Sequence, residues 1–393
     1  MIASPRVQKS RARWFPWLAL PNAALWTLLW LRQATDGAQR DWRHFHDTAR
    51  LILAGRANEI YPGYTPGLPF LHPPYAVWPF VPFGWLSRTG GYLACMLSTV
   101  LAMAGALWLL RRALPADRRR FAVGVLVILG SASWTATLAL GQVSAWYLLI
   151  LCACLSLWMR GERGWAGAVV SLLMLKPNLG AVFPMIFLAR RQWRLLGGWL
   201  AGVVLLLGST LPLGPGVWGH YFESMRSVSG LIDRIPVWKQ HTMLAFWRSF
   251  VHAPRVLGIL WLASAIPLAA ATGWTWLRSD LSAQNLPRLF GVTVLMIVTC
   301  SPYLHHYDAL LLALPGLVWY LERDRYRSAT LHRLCGAALL AAYLIQYASL
   351  WLLDRGWSLV GPALAVWLVA EILDLAPPLT APGQTGSTAR LRA

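Results

Sequence analysis

The sequence predicts an all-α polytopic integral membrane protein, and three observations carry that prediction. Apolar residues make up 57% of the 393 and charged residues only 13%. Apolar runs recur along nearly the whole chain, and the arginines bunch into short loops between them. Such a chain buries side chains against lipid as well as against itself, and no stretch is long enough for a separate soluble domain. The formal net charge of +20 would suggest nucleic acid in a soluble protein. Here the arginines flank apolar runs, so they read as topology signals and lipid-headgroup contacts, with membrane lipids as partners and no nucleic acid.

A crossing helix needs about 20 apolar residues, fewer where it is broken or buried in protein. The candidate spans, about 12 in all, are 14–31, 90–111, 121–139, 143–159, 164–174, 178–189, 195–212, 255–277, 288–300, 305–321, 332–353 and 357–375. Residues 75–87, punctuated by Pro73, Pro74, Pro79 and Pro82, are too short and too broken to cross and read as re-entrant. Arg6, Lys9, Arg11 and Arg13 precede the first apolar run like a signal peptide, but no small-residue cleavage site follows, which predicts a retained first helix. Residues 1–13 and 376–393, polar or rich in Pro, Gly, Ser and Thr, are expected to be disordered, with 14–375 forming one membrane domain.

With the basic N-terminus in the cytoplasm, Arg111-Arg112, Arg118-Arg119-Arg120, Arg190-Arg191 and Arg323-Arg325-Arg327 all fall inside. The other side receives the 32–74 loop, Gly141-Gln142, Lys176-Pro177-Asn178, the 213–254 loop and the stretch Ser301 to Asp308. Every unusual polar motif therefore lies on one face, predicting a multi-pass protein of the bacterial inner (plasma) membrane with an extracytoplasmic site. The outer loop also carries Arg32, Arg40, Arg43, Arg50 and Arg56 against the positive-inside trend, and an anionic lipid phosphate is one reason for them. Cys95, Cys152, Cys154, Cys300 and Cys335 sit in apolar runs as small packing residues.

The chemistry concentrates in Asp41-Trp42-Arg43-His44-Phe45-His46-Asp47. From Asp41 to Ala54 the pattern is helical, with Trp42, Phe45, Ala49 and Ile52 on one face and Arg43, Asp47 and Arg50 on another, an amphipathic helix expected on the outer membrane surface. A carboxylate beside arginines suits deprotonation of a hydroxyl near a bound phosphate, while an acid before a helix is equally placed as an N-cap. Asp47 reads as an ion-pair partner of Arg43 or Arg50. Lys176 lies between two short apolar segments, below the outer surface, where an ammonium needs an anion: a phosphate or an internal carboxylate. His305-His306 points to phosphate or acceptor contacts, or to a solvated loop pair; no acidic ligand set accompanies it, so no metal is expected. In the 213–254 loop, Trp218, His220, Tyr221, Phe222, Trp238, Trp247 and Arg248 suit sugar stacking, or the interface where Trp and Tyr gather anyway.

With these residues in hand, the chain resembles the C-type membrane glycosyltransferases, most closely glycosyltransferase family 87, whose characterised members use polyprenyl-phosphate mannose or arabinose. The resemblance rests on Asp41 through Tyr61, on His72-Pro73-Pro74-Tyr75 with Pro79 and Pro82, and on Gly141-Gln142, Lys176-Pro177 and Ser301-Pro302 with His305-His306, in that order. The chain departs from the family at His46 and His72, where aromatics are commoner, and at Lys239-Gln240-His241-Thr242, where an Asn-containing segment is usual. Those departures bear on the acceptor more than on the fold.

The resemblance implies a C-type glycosyltransferase fold and an inverting transfer at the extracytoplasmic face, with Asp41 as base. A polyprenyl-phosphate sugar would be the donor and a lipid or polysaccharide hydroxyl the acceptor. Lys176, Arg43, Arg50, His305 and His306 would take the donor phosphate. Asp47, His44, His72, Tyr75, Gln142, Asn178, Gln240, His241 and Arg248 are the candidates for binding substrate. No cofactor is expected. A lipid-linked sugar flippase, an O-antigen-ligase-like enzyme using a lipid pyrophosphate, and a scaffolding subunit are the rival readings; the one-sided motifs and the lack of an evident repeat weigh against a transporter.

Overall fold

The computed structural model describes residues 24, 28, 40–61, 70–114, 117–232, 235–351 and 357–376. The expected first span at 14–31, the basic N-terminus, Arg32 and all but the first residue of the C-terminal tail lie outside the described residues. Among the described residues the regular elements are helices, and β pairing is limited to one isolated antiparallel bridge between Gln240 and His305.

The main helices run α1 (Arg40–Leu53), α2 (Arg88–Ala113), α3 (Arg118–Leu129), α4 (Ala132–Leu140), α5 (Ser144–Met159), α6 (Arg163–Ser171), α7 (Val182–Ala189), α8 (Trp193–Gly208), α9 (Val217–Ile232), α10 (Met243–Arg248), α11 (Pro254–Arg278), α12 (Leu286–Cys300), α13 (Ala313–Leu321), α14 (Ala329–Trp351) and α15 (Val360–Leu375). The proline-rich stretch forms a 3-10 segment over Pro74–Phe80 and a single turn over Val81–Gly84, short as its prolines dictate. Further 3-10 segments carry α6 on to Leu175 and lead into α13 over His306–Leu312.

Among the described residues three stretches, Arg88–Ala113, Trp193–Leu213 and Pro254–Arg278, are long and apolar enough to cross a membrane. There are four if α3 and α4, bent by 52°, count as one broken span. The break falls where Ser131 accepts the Trp134 N–H and caps a new helix. The stretches 144–159, 163–175, 177–189 and 286–300 are apolar but shorter, so helix length does not establish the expected count of about 12. Large apolar side chains such as Leu205 on α8 and Ile259 on α11 stand exposed, as bilayer-facing positions do.

Within the bundle, α6 and α8 approach backbone to backbone. A Cβ on Gly167 would lie 2.0 Å from the Leu195 carbonyl oxygen, and one on Gly198 2.0 Å from that of Gly164. Small residues permit this close packing where water supplies no driving force between helices.

Helices α12, α13 and α15 separate two polar ends. Near one end Arg288 pairs with Glu371 (2.9 Å) and Asp374 (3.0 Å), and Tyr326 hydrogen-bonds Glu371. At the other end α12 runs out into Ser301–Asp308, and Ser358, ahead of α15, donates to the Gln240 carbonyl at 2.6 Å. Helix α12, with 15 residues, spans about 22 Å between them.

Candidate active site

Helix α1 forms as its periodicity predicts: Trp42, Phe45 and Ala49 are buried, Arg43 and Arg50 exposed. The apolar face, expected against lipid, is instead covered by protein. Phe45 stacks on Phe80 with ring centroids 4.2 Å apart, and the Trp42 indole donates to the Arg88 carbonyl at 2.9 Å. The proline-rich turn and the start of α2 supply enough apolar surface to cover it.

That docking fixes Asp41. The helix begins at Arg40, so Asp41 sits in its first turn, where the helix N-terminus favours a carboxylate. The Gln142 amide donates to Asp41 Oδ2 at 2.7 Å, and the other oxygen accepts no hydrogen bond from the described residues. Burial raises the Asp41 pKa above the usual carboxylate range; the Gln142 hydrogen bond and the nearby His44, Lys239 and Lys176 oppose the rise. A raised pKa and an open oxygen suit a general base.

The Gly141-Gln142 pair acquires a physical reason here. Gly141 ends α4 in the left-handed region (φ +74°), and a Cβ there would lie 2.6 Å from Trp42 Cβ. Glycine allows both the turn and the close approach of α1, and the next residue then faces Asp41.

Lys176 finds the internal carboxylate. Its ammonium lies 2.5 Å from Asp308 Oδ2, and both side chains are buried. Asp308 also accepts from Ser144 Oγ (3.3 Å) and the His305 N–H (3.0 Å), a satisfied buried pair. The Lys176 ammonium also lies 5.4 Å from the centroid of the Tyr307 ring.

Most other predicted residues converge on these two features and hold backbone. Tyr75 donates to the Met174 carbonyl (3.1 Å) and His72 to that of Leu175 (3.3 Å), clamping the turn before Lys176. Burial pushes the His72 imidazole down to about 4, so it is neutral. Asn178 donates to Ser301 Oγ (3.1 Å) and the Tyr303 carbonyl (2.6 Å). Arg248 donates to Gln240 Oε1 (3.1 Å), fastening the segment that bridges to His305. His306 donates from Nδ1 to the Lys239 carbonyl (3.3 Å), His305 Nε2 pairs with the Tyr303 hydroxyl (2.9 Å), and His241 lies 6.3 Å from His306, ring to ring. Burial of His44 lowers its pKa, with Asp41 and Asp47 opposing.

Two placements differ from expectation. Asp47 pairs with Arg88 (3.1 Å) rather than with Arg43 or Arg50, because α1 packs on the start of α2. Arg50 faces outward, with no ion pair among the described residues. Among the described residues no three His, Cys, Asp or Glu side chains converge as a metal site.

Sequence reasoning missed Asp308, Ser144 and Lys239. Asp308 was quoted within its motif without a role, although an acid opening an apolar run signals a partner inside the membrane region. Nothing local marks Ser144. Lys239 stands in the Lys-Gln-His-Thr segment, half-buried, its ammonium 5.5 Å from the centroid of the Trp238 ring.

An apolar helical bundle with a cluster of carboxylates, histidines and lysines at one polar end is the arrangement of a membrane protein with a polar site. The profile of Glycosyltransferase family 87 matches residues 70–302, more than half of the chain. The protein belongs to that family and is a glycosyltransferase. It is 27% identical, over 90% of this chain and 92% of the relative, to the polyprenol-phosphate-mannose-dependent alpha-(1-2)-phosphatidylinositol mannoside mannosyltransferase of Mycobacterium tuberculosis. No solved structure matches the chain.

Proposed function

We propose that this glycosyltransferase moves a sugar, with mannose the first candidate, from a polyprenyl-phosphate donor to a hydroxyl of a lipid or polysaccharide, with inversion. The observation that carries the reading is Asp41: a half-buried acid with a raised pKa, aligned by Gln142, its other oxygen accepting no hydrogen bond from the described residues. Asp308 is committed to Lys176, and Asp47 to Arg88. With Asp41 the one open carboxylate of this cluster among the described residues, the site suits inversion, which needs one base, better than retention, which needs a second carboxylate as nucleophile.

In this reading the acceptor hydroxyl gives its proton to Asp41 as its oxygen attacks the anomeric carbon, and the bond from that carbon to the phosphate oxygen breaks. His305, His306 and the Lys176 turn lie where the leaving phosphate gathers charge, and Arg43 and Arg50 face the headgroup region from the outer side of α1. An apolar cavity of about 380 Å³, bounded by α3, α4, α13 and α14 and by Ala309, Leu310 and Leu312 of the 3-10 segment that carries Asp308, suits an isoprenoid chain. The relative's polyprenol-phosphate-mannose donor supports the same class of substrate. The site faces the extracytoplasmic side of a bacterial plasma membrane, and the chain crosses it about 12 times, several of its spans short or broken.

The test is sugar transfer from radiolabelled polyprenyl-phosphate mannose and arabinose to membrane-lipid extracts, comparing wild type with Asp41→Asn at matched folding. Product from wild type and none from the variant is expected. No transfer from either donor, together with lipid movement across proteoliposomes that survives the Asp41 change, would overturn the reading in favour of transport.

A further inference from the structure

The buried pairing of Lys176 with Asp308 leaves an electrostatic question at the site. A polyprenyl-phosphate sugar is a phosphodiester with one negative charge. When the anomeric carbon–oxygen bond breaks, both bonding electrons stay on the phosphate oxygen, and the leaving monoester carries a second charge. The acceptor proton has gone to Asp41, so the growing charge needs a cation other than that proton. Lys176 is already neutralised at 2.5 Å by Asp308, and recruiting it would strand a fully buried carboxylate.

Lys239 is placed to supply that cation. Its own carbonyl takes the His306 Nδ1 hydrogen bond at 3.3 Å, and the next residue, Gln240, forms the antiparallel bridge to His305. The backbone of Lys239 therefore lies against the histidine pair, and Trp238 sits 5.9 Å from His306, ring to ring. The ammonium makes no ion pair among the described residues, and its field reaches both Asp41 and His305. Next to it in the chain, Gln240 Nε2 is a buried donor with no hydrogen-bond partner among the described residues. A buried donor left open in this way marks a place where a ligand completes the hydrogen bonding.

We infer that Lys239, on the segment bridged to His305, is the phosphate-binding cation of this enzyme: it receives the donor phosphate beside His305 and His306 and stabilises the second charge as the lipid phosphate leaves. Lys176 then acts through Asp308, as the residue that positions the 305–308 turn. This inference rests on the glycosyl-transfer reading above.

The test uses the full-length protein in nanodiscs, with Lys239→Met, Lys239→Gln and Lys239→Arg. Polyprenyl monophosphate, the leaving group, is the binding probe, and sugar transfer is measured alongside. Losing a charge-assisted contact predicts binding weakened about 10- to 100-fold in the Met and Gln variants, with a matching rise in donor KM or fall in kcat. Arg, which keeps the charge with a different geometry, is expected to retain binding within about 10-fold. Removing the charge also moves the acid limb of the kcat/KM profile to higher pH, because a nearby cation lowers the Asp41 pKa; Arg holds it in place. Folding is controlled by thermal unfolding, and Gln serves if Met fails to fold. A wild type that neither binds the monophosphate nor transfers sugar would defeat the glycosyl-transfer reading itself. A wild type that transfers sugar while the Gln variant binds and turns over like it overturns the role of Lys239 alone.

Discussion

Lys176 Nζ and Asp308 Oδ2, 132 residues apart in the chain, meet at 2.5 Å with both side chains buried. The pair ties the turn after α6 to the segment before α13 and holds the candidate site in register. Removing one partner of a buried pair leaves an uncompensated charge.

Lys176→Met is therefore expected to lower stability by about 3–5 kcal/mol. The double variant Lys176→Met with Asp308→Leu restores most of that loss, because a well-packed apolar pair avoids the desolvation penalty. Denaturant or thermal unfolding of the four members of the cycle in detergent measures the coupling. Additive losses would remove the pair from this account.

Asp41→Asn is expected to abolish transfer without loss of stability. Burial raises the folded-state pKa of Asp41 above its unfolded value, so the stability linked to its proton is present below the unfolded pKa and lost as pH rises through the folded one. Where the side chain is ionised it opposes folding, and the amide removes that opposition. The melting temperature stays equal or rises, while kcat falls by at least about 100-fold. A clear drop in melting temperature would point to a structural role instead.

Gln142→Leu isolates the hydrogen bond to Asp41. That bond stabilises the carboxylate, so its loss raises the Asp41 pKa further. The acid limb of the kcat/KM profile is expected to shift to higher pH relative to wild type, with activity at the plateau reduced by misalignment of the base. An unmoved limb would mean that the titrating group is not Asp41.

Gly141→Ala tests how α1 is seated. A left-handed conformation costs a residue with a Cβ about 1–2 kcal/mol, and the added atom would meet Trp42 at 2.6 Å. Helix α1 must shift and carry Asp41 away from Gln142. A lower melting temperature is expected together with a fall in kcat larger than the change in donor KM; wild-type kinetics would show that the two loops need not touch during catalysis.

The buried face of α1 was legible in the sequence because a single helix contains the whole pattern: Trp42, Phe45 and Ala49 recur at helical spacing and are all buried. The cover over that face was not legible. An amphipathic stripe says that an apolar surface exists, and lipid or protein satisfies it equally. The short elements at 74–84 were legible from their prolines, which remove backbone donors wherever they fall. The pairing of Asp47 was misplaced because helical spacing offered Arg43 and Arg50, whereas the partner, Arg88, arrives from a different helix.

By itself the sequence determined the helical, membrane-seated character of the chain, the family resemblance, and the order of the motifs at residues 41, 72–75, 141–142, 176–178 and 301–306. Composition and periodicity are local properties, and each segment carries its own. The tertiary structure decided that Gln142 aligns Asp41, that Asp308 answers Lys176, and that Lys239 lies beside the histidine pair. Charges in a weakly polar interior are governed by separation in space and by burial, and these contacts join residues a hundred or so positions apart in two cases and about 67 in the third. No local pattern encodes such distances; they exist only once the helices have packed.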